Sequence, residues 1–155
     1  MKTLTSHINE ALKIGKNLSK FSAYSCQPNT KNELVKIIND RISENGTDCD
    51  LNDIDVSLIT DMSGLFYRSP FNGDISKWDV SNVESMADMF NKSRFKGDIS
   101  EWNVSNVKQM GWMFAYSKFD GDLSKWNVDN KCVTGNMFYE CPIKNEHKPL
   151  LLQLL

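Results

Sequence analysis

The sequence predicts an α/β repeat solenoid, a stack of short coils with a parallel sheet wall, preceded by two capping α-helices. Three observations lead there. A unit read most clearly in Phe71-Asn72-Gly73-Asp74-Ile75-Ser76-Lys77-Trp78-Asp79-Val80-Ser81-Asn82-Val83 returns every 24 residues, almost letter for letter over residues 95–107 and 119–130. Its apolar residues stay in phase, as they must when each coil covers the core face of the next. Two helical patterns come before it. The expected organisation is an N-terminal helical cap over 1–46, a four-coil array over 47–142 and a capping tail over 143–155, together one structural domain.

The first helical pattern covers residues 5–20, opened by Thr5 or Ser6 and carrying Ile8, Ala11, Leu12, Ile14 and Leu18 on one broad face. A connector, Ser25-Cys26-Gln27-Pro28-Asn29, separates it from a better-signalled helix. There Thr30 and Glu33 form a capping box, Leu34, Ile37, Ile38, Arg41 and Ile42 keep a helical period, and Gly46 stands where a terminating glycine belongs.

The coils run over 47–70, 71–94, 95–118 and 119–142, the first degenerate and the last decaying at Lys131 and Thr134. Within a coil, Ile75, Trp78 and Val80 follow the spacing of a short strand on a sheet wall, and Val83, Met86, Met89 and Phe90 bring the chain back as a turn or short helix. Pro149 and the Leu-rich tail are placed over the exposed end as a cap.

Composition narrows the function. The chain has 155 residues, 40% apolar and 25% charged, which is one ordinary globular domain. The net charge of −2 supplies no overall attraction to nucleic acid or to a membrane surface, and no nucleic-acid partner is expected. Residues 1–46 carry seven Lys/Arg against four Asp/Glu and the remainder 11 against 16, a mild asymmetry read as solvated surface. Cys26, Cys49, Cys132 and Cys141 are expected as reduced thiols, because residues 2–7 lack the apolar run of a secretory signal. A cytoplasmic location follows as the expectation. No apolar run approaches the roughly 20 residues of a membrane helix, so no membrane insertion is expected.

The pattern G-D-[IL]-S-x-W-[DN]-V-[SD]-N followed by M-x-x-M-F resembles the BspA-like leucine-rich repeats of bacterial surface proteins. The likeness covers about residues 47–142, and Ser69, Ser93, Ser117 and Cys141 stand at what looks like that family's F-x-x-C position. The resemblance implies leucine-rich-repeat-like coils and a binding role, since members are mostly surface-exposed adhesins or proteins of unknown function. No catalytic residues come with the motif. Family members are often found at the cell surface, whereas this chain shows no signal peptide, anchor or long array.

Stacking turns each repeat position into a column of side chains. Trp78, Trp102 and Trp126, with Ile54, are read as core, and Asn82, Asn106 and Asn130 as a ladder that serves the turn backbone. Asp50, Asp74, Asp98 and Asp122 form a like-charge column that Asx turns or calcium would relieve, but the spacing of calcium-binding repeats is missing and no metal or cofactor is expected. Asp53, Lys77, Glu101 and Lys125 alternate in sign down one outward column. Beside it runs Asp55, Asp79, Asn103, Asn127, a polar column with no evident partner and a candidate binding wall. Trp112 and Tyr116 break their columns at a spacing of i, i+4. They are either exposed interface anchors or packed beneath the helices or the tail.

With His7 and His147 outside the array and no metal, redox or phosphate-loop motif, no enzymatic activity is expected. The expected function is non-catalytic binding of another macromolecule, a protein, with a glycan as the alternative ligand. An inhibitor or decoy carried by a mobile element and an adhesin-type module are the competing readings.

Overall fold

A computed structural model of the protein describes residues 24–153. The helix expected over residues 5–20 lies outside them. Three helical elements are present among the described residues: α1, Lys31–Asn45; a 3-10 turn, Asn145–His147; and α2, Leu150–Gln153.

α1 begins where the capping chemistry places it. Thr30 is extended, its Oγ1 accepts the Glu33 amide at 3.2 Å, and the Glu33 carboxylate reaches back to the Asn29 amide at 2.7 Å. Gly46, at φ +87°, ends the helix and donates its N–H to Ile42 O. Leu34 and Ile38, four residues apart, are buried on one face. Polar bonds pin the helix to the first unit: Lys31 Nζ to Asp61 at 3.2 Å and to Ser63 Oγ at 2.7 Å, and Arg41 to Asp53 at 2.8 Å.

The 24-residue units stack in register, and their aromatic rings show it. Trp78, Trp102 and Trp126 lie parallel with centroids 6.5 Å apart at each step. Phe66, Phe90, Phe114 and Phe138 form a second column at 5.5, 5.4 and 5.7 Å, and Phe71, Phe95 and Phe119 a third at 6.2 and 6.3 Å. Each indole N–H donates to a carbonyl of the preceding unit: Trp78 to Leu51, Trp102 to Ile75, Trp126 to Ile99. The amides of Asn82 and Asn106 do likewise, to Ser57 O and Ser81 O at 2.9 and 2.7 Å. The letters that define the repeat are the groups that hold one unit to the next.

No sheet forms among the described residues, and this overturns the expected α/β solenoid with a parallel sheet wall and the leucine-rich-repeat coil built on it. The described residues contain no strand, only isolated parallel bridges such as Asp61 to Ser85, Ser85 to Gln109 and Gln109 to Val133. The reason is where the backbone N–H groups go. On the tryptophan side Trp78 N–H bonds to Ile75 O and Val83 N–H to Val80 O, while Ser76 and Ser81 N–H are taken by the carboxylates of Asp74 and Asp79. Donors spent in tight turns inside one unit cannot build a ladder to the next. The Ile75-x-x-Trp78 spacing is the step of a turn. The returning half, residues 61–69 and its equivalents, does bond unit to unit, but two left-handed residues in every unit keep it from extending.

One segment takes a place the repeat pattern does not announce. Ser25 N–H donates to Asp53 O at 2.7 Å, Asp55 N–H donates to Cys26 O at 2.8 Å, and Cys26 pairs with Ile54 in a parallel bridge. The supposed connector thus lies along the first unit and extends the Trp-Ile column by one layer. At the opposite end Leu123 N–H bonds to His147 O, with Ile143 and Pro149 buried.

Candidate functional site

The returning half of every unit carries two backbone positions with φ between 52° and 63°: Gly64, Asp88, Trp112 and Asn136 at the first, Arg68, Lys92, Tyr116 and Glu140 at the second. This left-handed conformation costs a residue with a Cβ about 1–2 kcal/mol, and Gly, Asn and Asp bear it best. Three units use those types at the first position. Trp112 is the exception, and the turn has no need of an indole there.

Both aromatics face outward. Trp112 is 40% exposed and Tyr116 46%, so they do not pack beneath the described helices or tail. They are joined by Tyr139 of the next unit, also 46% exposed, whose ring lies 6.0 Å from that of Trp112 and meets Tyr116 edge-on at 5.3 Å. Lys92 Nζ sits 5.4 Å from the centre of the Tyr116 ring. Partial desolvation, and then Tyr139 and Glu140, raise the Tyr116 phenol above its ordinary range, so it is neutral at physiological pH and can donate a hydrogen bond. The result is a three-ring platform with a cation at its edge. Sequence spacing picked out Trp112 and Tyr116 but not Tyr139, whose column reads Tyr67, Asn91, Ala115, Tyr139 and sets no residue type for it to break.

The other candidate residues are placed differently. The column Asp55, Asp79, Asn103, Asn127 is not without partners. Asp55, Asp79 and Asn103 accept the amides of Ser57, Ser81 and Ser105 at 3.0, 3.0 and 3.2 Å, and Asp55 also accepts Gln27 Nε2 at 2.7 Å. Bonds from the Ser81 hydroxyl and amide hold Asp79 below the usual carboxylate range. Asn127 is exposed and is the one member without such a bond among the described residues. These side chains cap turns. The alternating column is only partly paired: Lys125 bonds Glu101 at 2.5 Å, while Asp53 turns to Arg41 and no ion pair joins Lys77 to either neighbour.

The like-charge column is relieved one residue at a time. Asp74, Asp98 and Asp122 accept the amides of Ser76, Ser100 and Ser124 at 2.8, 2.9 and 2.9 Å, and these backbone bonds are the main cause that lowers each carboxyl. Among the described residues no three His, Cys, Asp or Glu side chains converge as a cation site. Cys141 donates toward Phe119 O at 3.2 Å, and burial pushes its thiol up, which makes it a poor nucleophile. All four cysteines are free, and no described helix is long and apolar enough to cross a membrane.

The family described as "Mycoplasma protein of unknown function, DUF285" matches the chain over residues 35–149. No curated protein and no solved structure matches it.

Proposed function

The chain belongs to the Mycoplasma family of unknown function, DUF285, and within it we propose a non-catalytic module that binds another protein through the Trp112, Tyr116 and Tyr139 platform. One observation carries the reading: a tryptophan held in a left-handed conformation that its counterparts fill with Gly, Asp and Asn, and left 40% exposed. The repeat imposes this conformation on every unit, and keeping a tryptophan in it is an outlier that points to function. Exposed Trp and Tyr offer large, rigid contact area at small conformational cost and dominate the energetics of protein interfaces. The resemblance of the repeat to those of BspA-like proteins, mostly surface-exposed adhesins or proteins of unknown function, points the same way. The polar column is the weaker candidate, because turn capping already accounts for three of its four members.

The test compares baits in lysate of the native host. The parent chain captures a specific protein, and Trp112→Ala with Tyr116→Ala lowers its affinity by about 30-fold or more, the effect of losing roughly 2 kcal/mol of anchor contact. Alanine leaves the backbone penalty in place, so the comparison isolates the rings. Asp79→Lys with Asn103→Lys retains capture. Equal capture by the ring variant would sink the proposal.

A further inference from the structure

We propose that the outer edge of the fourth unit's returning segment docks a polypeptide segment of a partner protein, which adds as a fifth returning segment with the turns of the other four. This rests on the protein-binding reading and specifies its mode. In the third unit the N–H groups of Met110, Trp112, Phe114 and Tyr116 donate to the carbonyls of Val133, Gly135, Met137 and Tyr139 at 2.8–3.0 Å. The same four positions of the first and second units bond the unit that follows them in the same way. In the fourth unit these positions are Thr134, Asn136, Phe138 and Glu140, and their N–H groups have no acceptor among the described residues. A regular row of donors spaced two residues apart is a template for another backbone.

The row also selects its occupant. The carbonyls of Thr134, Asn136 and Phe138 are bonded inside the unit, to the N–H groups of Met137, Tyr139 and Cys141, so the edge offers donors alone. Two identical edges would set donor against donor, which excludes a symmetric pair of copies through this face. The complementary row of carbonyls lies on the first unit, at the end where α1 is seated by Lys31 and Arg41. A second copy stacked head to tail would meet that helix. What fits is a segment from another protein that presents carbonyls at every second residue, as residues 85–91 do to the first unit, with an aromatic or methionine side chain for Phe138. That ring ends its column, only partly buried, with Lys148 Nζ 5.9 Å from its centre. Among the described residues the tail is bonded to the opposite half of the unit, His147 O accepting from Leu123 N–H, and reaches this half only through the Lys148 side chain. Tyr139 lies between two of the free donors, so a docked segment also touches the aromatic platform.

The test is residue-resolved amide exchange on the full chain, with a blocked synthetic peptide of residues 82–94 as the probe and a scrambled peptide as control. In the free chain Thr134, Asn136, Phe138 and Glu140 exchange about 100-fold faster than Met110, Trp112, Phe114 and Tyr116, and the probe slows those four by about 10-fold or more in a saturable way. Four amides already slow in the free chain, or unchanged at millimolar probe, overturn the proposal. Protection that grows with the chain's own concentration also overturns it, in favour of self-association. If the ring variant loses capture while the four amides ignore the probe, protein binding stands and edge docking falls; if the probe protects them while ring substitution leaves capture intact, the platform reading fails by itself.

Discussion

Trp102→Ala lowers the free energy of unfolding by about 3–5 kcal/mol, measured by urea denaturation. The indole is 4% exposed and stacked on both faces, against Trp78 and Trp126, each 6.5 Å away and nearly parallel. Its truncation opens a void in the middle of the column, where neighbouring units are held in place by further rings and cannot collapse inward. It also removes the indole N–H bond at 3.2 Å to the Ile75 carbonyl, which keeps the Trp78 amide as its other donor. Trp102→Phe separates these contributions. It keeps a ring in the column and loses the donor, at about 0.5–1.5 kcal/mol for one hydrogen bond to an acceptor that retains another. If Trp102→Ala costs less than about 1 kcal/mol, the ring columns are not what joins the units.

Gly73→Ala is the second large effect, a loss of about 3 kcal/mol or more, at the upper end of overpacking. A Cβ at Gly73 would lie 1.9 Å from the Cys49 carbonyl oxygen and 2.9 Å from the Asp48 carbonyl carbon. Both are backbone atoms of the first unit, so relief requires the first two units to move apart. Gly121 is the internal control, since its Cβ would meet only the Phe119 ring, at 2.7 Å, and a ring can shift. Thermal melts should place Gly73→Ala well below Gly121→Ala. Equal melting temperatures would mean that the units do not approach as closely as the glycine implies.

The in-phase part of the fold was legible in the sequence because stacking demands identical chemistry at identical positions. Trp78, Trp102 and Trp126, or Phe71, Phe95 and Phe119, can only recur at a fixed interval if each touches its own copy. The sheet was misread for a related reason: Ile75, Trp78 and Val80 point inward as strand residues would, and side-chain phase does not reveal that the Ser76 and Ser81 amides are consumed by Asp74 and Asp79. The Asp-x-Ser pattern carries that information at both places. For the Asp55 to Asn127 column it separates turn caps from a free binding wall. Nothing in the repeat marks residues 25 and 26 as an added layer, because they lie 28 residues before Asp53 and Ile54, out of step with the 24-residue period. Tyr139 was hidden because its column, Tyr67, Asn91, Ala115, Tyr139, has no common residue type to depart from, while Trp112 and Tyr116 were visible because they interrupt a column.

The division of labour between the repeated letters and the residue that breaks them is tested most directly by Trp112→Gly, unfolded in urea beside Trp102→Ala. Glycine restores the residue type of Gly64 in that column and removes the left-handed penalty of a side chain at φ +59°. If Trp112 serves recognition, its replacement leaves the unfolding free energy within about 1 kcal/mol of the parent, because relief of the backbone offsets the lost contact with Tyr139. A loss of about 3 kcal/mol, comparable to that at Trp102, would show that Trp112 belongs to the core and that the binding platform has been misassigned.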